Sequence, residues 1–91
     1  MTYKVVFSSD AERSMKKWKK SSPVLFKKLQ KILLELMEHP RTGTGHPEAL
    51  VGGGDVMYSR RITGQHRIVY EIQDERVVVV VISVEKHYSD K

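Results

Sequence analysis

Residues 59–73 read "SRRITGQHRIVYEIQ", and the way this stretch folds decides most of the chain. Runs rich in β-branched and aromatic residues flank Thr63-Gly64-Gln65, a turn signal. Ile68, Tyr70 and Ile72 alternate with Arg67, Val69 and Glu71, so the second strand has one apolar and one mixed face. Placing Ile62 on the same face as Ile68 requires an odd loop, and Thr63-Gly64-Gln65 supplies it. Arg61 then falls opposite Arg67 on the mixed face, while Arg60 points the other way. Two guanidiniums side by side repel each other. The pair reads either as two side chains reaching into water or as a seat for an anion.

Downstream, a turn at Gln73-Asp74-Glu75 leads into "RVVVVVISVEK", so three strands at about 56–62, 66–73 and 76–86 form a meander. Strict alternation puts Val78, Val80, Ile82 and Val84 on one face of the last strand. Val77, Val79, Val81, Ser83, Glu85 and His87 take the other. The chain then closes on "KHYSDK", where His87 and Tyr88 are either the frayed end of a strand or half of an active site.

Upstream, "YKVVF" alternates as a strand. Ser9 with Glu12 three residues on forms a capping box, and Ala11, Met15 and Trp18 make a narrow apolar seam on a basic helix. Ser22 and Pro23 start a second helix whose stripe is Leu25, Leu29, Ile32, Leu33 and Leu36, and His39-Pro40 ends it. Residues 40–55, "PRTGTGHPEALVGGGD", hold five of the six glycines and form a long loop of the functional or disordered kind. The expected architecture is α+β in the order β-α-α-β-β-β. It is a single domain over residues 1–91, an antiparallel sheet with a two-helix hairpin on one face and the other face free for chemistry.

The 91 residues carry 16 Lys and Arg against 11 Asp and Glu, a formal charge of +5. That balance fits a polyanionic partner or a basic protein without one, and the clustering of Arg13, Lys16, Lys17, Lys20, Lys27, Lys28 and Lys31 favours the first. The absence of cysteine excludes disulfides, thiol catalysis and thiolate zinc sites. Neither a signal peptide nor a membrane helix is legible, so the expectation is a cytoplasmic protein without membrane attachment. The four histidines form no i, i+4 pair and no HExxH, so neither a metal nor another cofactor is expected. The glycines at 52–54 lack the lysine and helix of a phosphate loop.

The mixed sheet face supplies arginines and a terminal His-Tyr, and the loop supplies Glu48. These residues suit RNA cleavage. A base takes the proton of a ribose 2′-OH, a cation stabilises the developing phosphorane, and an acid protonates the leaving 5′-oxygen. Glu48 fits the base, Arg67 the stabiliser and His87 the acid, with Tyr88 orienting phosphate or stacking on a base. On spacing alone the constellation is weak, because a single loop glutamate such as Glu48 is ordinarily a solvated carboxylate.

"GTGHPEAL", "YSRRITGQHRIVYEI" and the terminal "HY" together resemble the Txe/YoeB toxins of bacterial toxin–antitoxin modules, within the RelE superfamily. The resemblance spans nearly the whole chain. It implies a RelE-like (microbial ribonuclease-like) fold and a toxin that cleaves mRNA in the ribosomal A site. It also assigns roles: Glu48 as general base, Arg67 as transition-state stabiliser and His87 as general acid, with Tyr88 beside it. RNA contacts are expected from Arg61, Arg60, Lys16, Lys17 and Lys20. The implied partners are an acidic antitoxin of the Phd/YefM type, the ribosome with its mRNA, and a second toxin copy. The chain departs from relatives at Val51, Tyr58 and Glu85, where a lysine, a tryptophan and a basic residue are common. The competing reading within the superfamily is a non-catalytic toxin that binds the ribosome or gyrase. A DNA-binding module would need a recognition helix, and none is legible.

Overall fold

The structure is a computed structural model describing residues 2–43, 45–50, 52, 54 and 56–86, with residues 85 and 86 described by backbone alone. The elements are β1 (Lys4–Phe7), α1 (Ser9–Ser21), α2 (Pro23–Glu38), β2 (Glu48–Ala49), β3 (Met57–Arg61), β4 (His66–Gln73) and β5 (Val78–Lys86). They form one five-stranded sheet in the order β1-β5-β4-β3-β2. Ala11 and Trp18 of α1 and Leu29, Ile32 and Leu36 of α2 pack with Ile68, Tyr70, Ile72, Val79, Val81 and Val84, so both helices cover one sheet face. Among the described residues, no helix is long and apolar enough to cross a membrane.

The helical seams, the β3–β4 hairpin and the start of α2 at Ser22-Pro23 match the sequence expectation. Four features differ from it. The sheet is antiparallel through β2–β5, but β1 joins β5 in parallel, Val5 beside Val79 and Phe7 beside Val81. The meander's other edge, at β3, is taken by β2, so β1 can extend the sheet only at β5. The second difference is β2 itself, a two-residue strand within the long loop, pairing Glu48 with Ser59 and Ala49 with Tyr58.

The third concerns β5. Tyr70 pairs with Val81 and Val69 with Ser83, so Ile82 is the extra residue of a β-bulge. Val79 and Val81 therefore face the core together with Val84, and the expected grouping of Val78, Val80, Ile82 and Val84 is wrong. An unbroken apolar run carries no polar residue to mark its parity, so nothing in the sequence reveals the slip. The bulge is held by Ser8, whose N–H donates to the Val81 carbonyl at 2.9 Å and whose hydroxyl donates to that of Ile82. Ser8 is also the fourth difference: its Oγ accepts from the Ala11 N–H at 3.1 Å, so Ser8 caps α1 in place of Ser9. A residue tied to β5 on one side is already oriented to cap the helix on the other.

The chain leaving α2 is anchored to the sheet from below. Tyr70 donates to the Pro40 carbonyl at 2.7 Å. The Arg60 guanidinium donates to Glu35 Oε1 at 3.1 Å and to the His39 and Thr42 carbonyls at 2.9 and 2.8 Å. Gly45 then lies against β3, accepting from the Arg61 N–H at 2.8 Å. At φ +89° a Cβ there would run into the Arg61 carbonyl, so only glycine fits. These contacts bring the loop to the sheet edge and set the register of β2.

A polar latch closes the opposite end of the sheet. Asp74 accepts from the Tyr3 hydroxyl at 2.7 Å and from Arg41 at 3.2 and 2.9 Å. The Arg41 hydrogen bond, then that of Tyr3, lowers the Asp74 pKa. A carboxylate with a depressed folded pKa adds stability above its unfolded pKa and loses it as pH falls through the folded value. The stability gap between the native chain and Asp74→Asn is therefore expected to hold at neutral pH and to shrink below about pH 4. Urea unfolding from pH 6 to pH 2 measures it, and a gap that persists to pH 2 would exclude the latch.

Candidate functional site

The open face of the sheet is built by alternation. In β3, Tyr58 and Arg60 face the helices, leaving Ser59 and Arg61 on the other side; in β4 the same parity leaves Arg67 and Val69 there. Arg61 is paired with Arg67 across the hairpin, as the odd turn requires. Glu48 lies beside Ser59 across the β2–β3 ladder, so the loop carboxylate joins the arginines. Glu48 Oε1 is 3.6 Å from Arg67 Nη1, and the same Nη1 donates to Ser59 Oγ at 3.0 Å. The Arg67 side chain is 22% exposed and that of Glu48 65%, so the carboxylate is open to solvent above a guanidinium resting on the sheet. In β5, Glu85 is the Cα partner of Arg67.

Such an arrangement places a proton acceptor and a fixed cation within reach of one small anion. The pair is long for a charge-assisted hydrogen bond, so neither group is consumed by the other. Among the described residues no three His, Asp or Glu side chains converge as a metal-ligand set.

The remaining expected site residues are distributed differently. Arg60 is a correction: at 0% exposure, beneath the sheet and bonded to Glu35 and two carbonyls, it holds the loop and has no surface to offer RNA. Its parity and its three acceptors give the reason, because β3 must alternate and α2 presents a carboxylate on the inner side. Lys16, Lys17 and Lys20 are exposed on α1, on the opposite sheet face from Glu48 and Arg67. The ring of His66 meets Trp18 of α1 edge-on at 5.1 Å, so the basic helix and Arg67 share one end of the sheet. His87 and Tyr88 lie outside the described residues, as does Val51, and Glu85 is described by its backbone only. Tyr58, buried, stacks on Tyr70 at 6.2 Å with Arg41 over its ring, which makes it a core residue.

Ser59 is the site residue that sequence reasoning missed. Its signal was available: β3 alternation puts it on the open face, one position from the buried Arg60 and diagonal to Arg67.

The family model describing the YoeB-like toxin of bacterial type II toxin–antitoxin systems matches residues 7–88. The chain belongs to this family. Among similar proteins, the mRNA interferase toxin RelE of Escherichia coli (strain K12) is 37% identical over 75 residues, 82% of this chain and 76% of RelE. A YoeB/ParE toxin from Agrobacterium tumefaciens superposes with a TM-score of 0.85 at 28% identity, covering 93% of this chain and 99% of that one. The toxin in a YoeB–YefM complex from Staphylococcus aureus gives 0.80 at 28% identity over 97% and 100% of the two chains. The two helices and five-stranded mixed sheet of this YoeB-like toxin are thus the RelE-like fold that its sequence implies.

Proposed function

We propose that this YoeB-like toxin is a ribosome-dependent endoribonuclease that cuts mRNA in the ribosomal A site. The observation that carries the reading is Glu48 and Arg67 held 3.6 Å apart on an exposed sheet face. Glu48 takes the proton from a ribose 2′-OH, and O2′ attacks the adjacent phosphorus. Arg67 stabilises the charge that gathers on the phosphoryl oxygens. His87 protonates the 5′-oxygen as the P–O5′ bond breaks, leaving a 2′,3′-cyclic phosphate and a 5′-hydroxyl. Tyr88 holds the RNA beside it. Arg61 supplies a second cation to the phosphate, and Lys16, Lys17 and Lys20 bind ribosomal RNA in a salt-dependent manner.

The name of the Escherichia coli relative, an mRNA interferase, supports the substrate class, and the Staphylococcus aureus complex with YefM supports an antitoxin partner. An acidic antitoxin segment complements a chain of charge +5 and would neutralise the arginines it covers. A homodimer belongs to the same reading.

Primer extension on mRNA bound to translating ribosomes tests the chemistry. Cleavage is expected with ribose at the cut site and none with a 2′-deoxy sugar there, because the nucleophile is gone. Cutting of the deoxy substrate would sink the mechanism, and growth arrest by a cleavage-dead variant would assign the toxin to the binding class.

A further inference from the structure

We infer that Ser59 is a positioning residue that holds the Arg67 guanidinium in place beside Glu48 and keeps the two from closing on each other. The inference rests on the proposed nuclease reading and concerns a residue with no role of its own in proton transfer. Ser59 is 3% exposed, buried on the side of the sheet where its neighbours are charged. It lies between the two reactive groups: Glu48 is its ladder partner on β2, and Arg67 reaches it diagonally from β4. Its hydroxyl accepts from Arg67 Nη1 at 3.0 Å, and the Glu48 carboxylate is 3.6 Å from that same nitrogen.

A guanidinium and a carboxylate left to themselves close to about 2.7–2.9 Å. A closed pair ties up the lone pairs with which Glu48 would accept the 2′-OH proton, and it draws Arg67 away from the phosphate. A hydroxyl beneath the guanidinium offers the competing acceptor. It carries no charge, so it orients the cation without neutralising it. Glutamate or aspartate at this position would bind Arg67 more tightly and cancel its charge; alanine would remove the uncharged acceptor and leave the Glu48 carboxylate free to close on the guanidinium.

Steady-state cleavage of mRNA on programmed ribosomes tests this in five variants. Ser59→Val, which replaces the hydroxyl with a methyl and adds a second methyl that the Thr variant shares, is expected to lower kcat by about 10- to 100-fold with KM little changed. Ser59→Thr, of similar shape but with the hydroxyl retained, restores most of kcat. The loss appears only when Arg67 is present, so Ser59→Val in an Arg67→Ala background adds nothing further. Equal losses in both backgrounds, or a Thr variant no better than Val, would assign Ser59 to packing and overturn the inference. Should Arg67→Ala and Glu48→Gln themselves leave cleavage intact, the assignment of the chemistry to this pair falls, and this inference with it. Should they abolish it while Ser59→Val keeps wild-type kcat, only this inference falls. Thermal unfolding of each variant confirms that the folded protein is being assayed.

Discussion

Replacing Arg67 with alanine is expected to lower mRNA cleavage on ribosomes by about 10²- to 10³-fold, the usual cost of removing one preorganised donor to a developing oxyanion. The expectation follows from how the side chain is held. Arg67 leaves β4 on the open face, is 22% exposed, and is fixed by Ser59 Oγ at 3.0 Å before any substrate arrives. Its charge is available at the surface and costs no reorganisation during the reaction. Stability should change little, because ion pairs as exposed as that with Glu48 contribute no more than about 1 kcal/mol. Arg67→Lys is expected to recover only part of the activity, since an ammonium lacks the planar fork that reaches Ser59 and a phosphate together. Single-turnover cleavage alongside thermal unfolding separates the two effects. Wild-type cleavage by a folded Arg67→Ala protein would remove this residue from the chemistry.

Arg60→Ala is expected to do the opposite: unfold the protein far more than it alters any contact with RNA. The guanidinium is fully buried, lies 5.9 Å from the Tyr70 ring, and donates to Glu35 Oε1 and to the His39 and Thr42 carbonyls. Truncation leaves a cavity, a partly buried carboxylate without its guanidinium, and two carbonyls that each lose a donor. Breaking a buried pair in this way costs about 3–5 kcal/mol. Against a total of about 5–15 kcal/mol for a native domain, that is a large share. It corresponds to a fall in Tm of at least about 12 °C for a domain of this size. Activity should fall as well, because the segment from His39 to Gly45 delivers Glu48 to the sheet. The neighbouring Arg61→Ala, on the exposed side of the same strand, is the internal control and should leave Tm nearly unchanged. Similar Tm values for the two variants would refute the assignment of Arg60 as a structural residue.

That contrast between adjacent arginines shows how far alternation carries. The register of the β3–β4 hairpin was legible because Ile62, Ile68, Tyr70 and Ile72 mark the inner face and one odd turn links them. Arg61 opposite Arg67 followed directly. Arg60 pointing inward followed too, but a charged residue on an inner face reads as a surface group until a partner is known. The partner, Glu35, lies 25 residues earlier on a different element. Glu48 was readable as a loop carboxylate of uncertain destination, and its arrival beside Ser59 depended on the anchoring of Pro40, Thr42 and Gly45, none of which has a local signature.

The residues by themselves determined the two amphipathic helices, the meander, the turn chemistry and the resemblance to the YoeB-like toxins, because each rests on periodicity or on a contiguous motif. Only the tertiary structure decided the parallel seat of β1, the bulge at Ile82, the cap at Ser8 and the hydroxyl of Ser59 under Arg67. The first three depend on hydrogen bonds between segments far apart in sequence; the fourth crosses a single hairpin, where alternation puts Ser59 on the face of Arg67 but does not set the contact. In the valine run of β5, both choices of face are equally apolar, so the sequence holds no preference. The packing of α1, through Ser8, makes the choice.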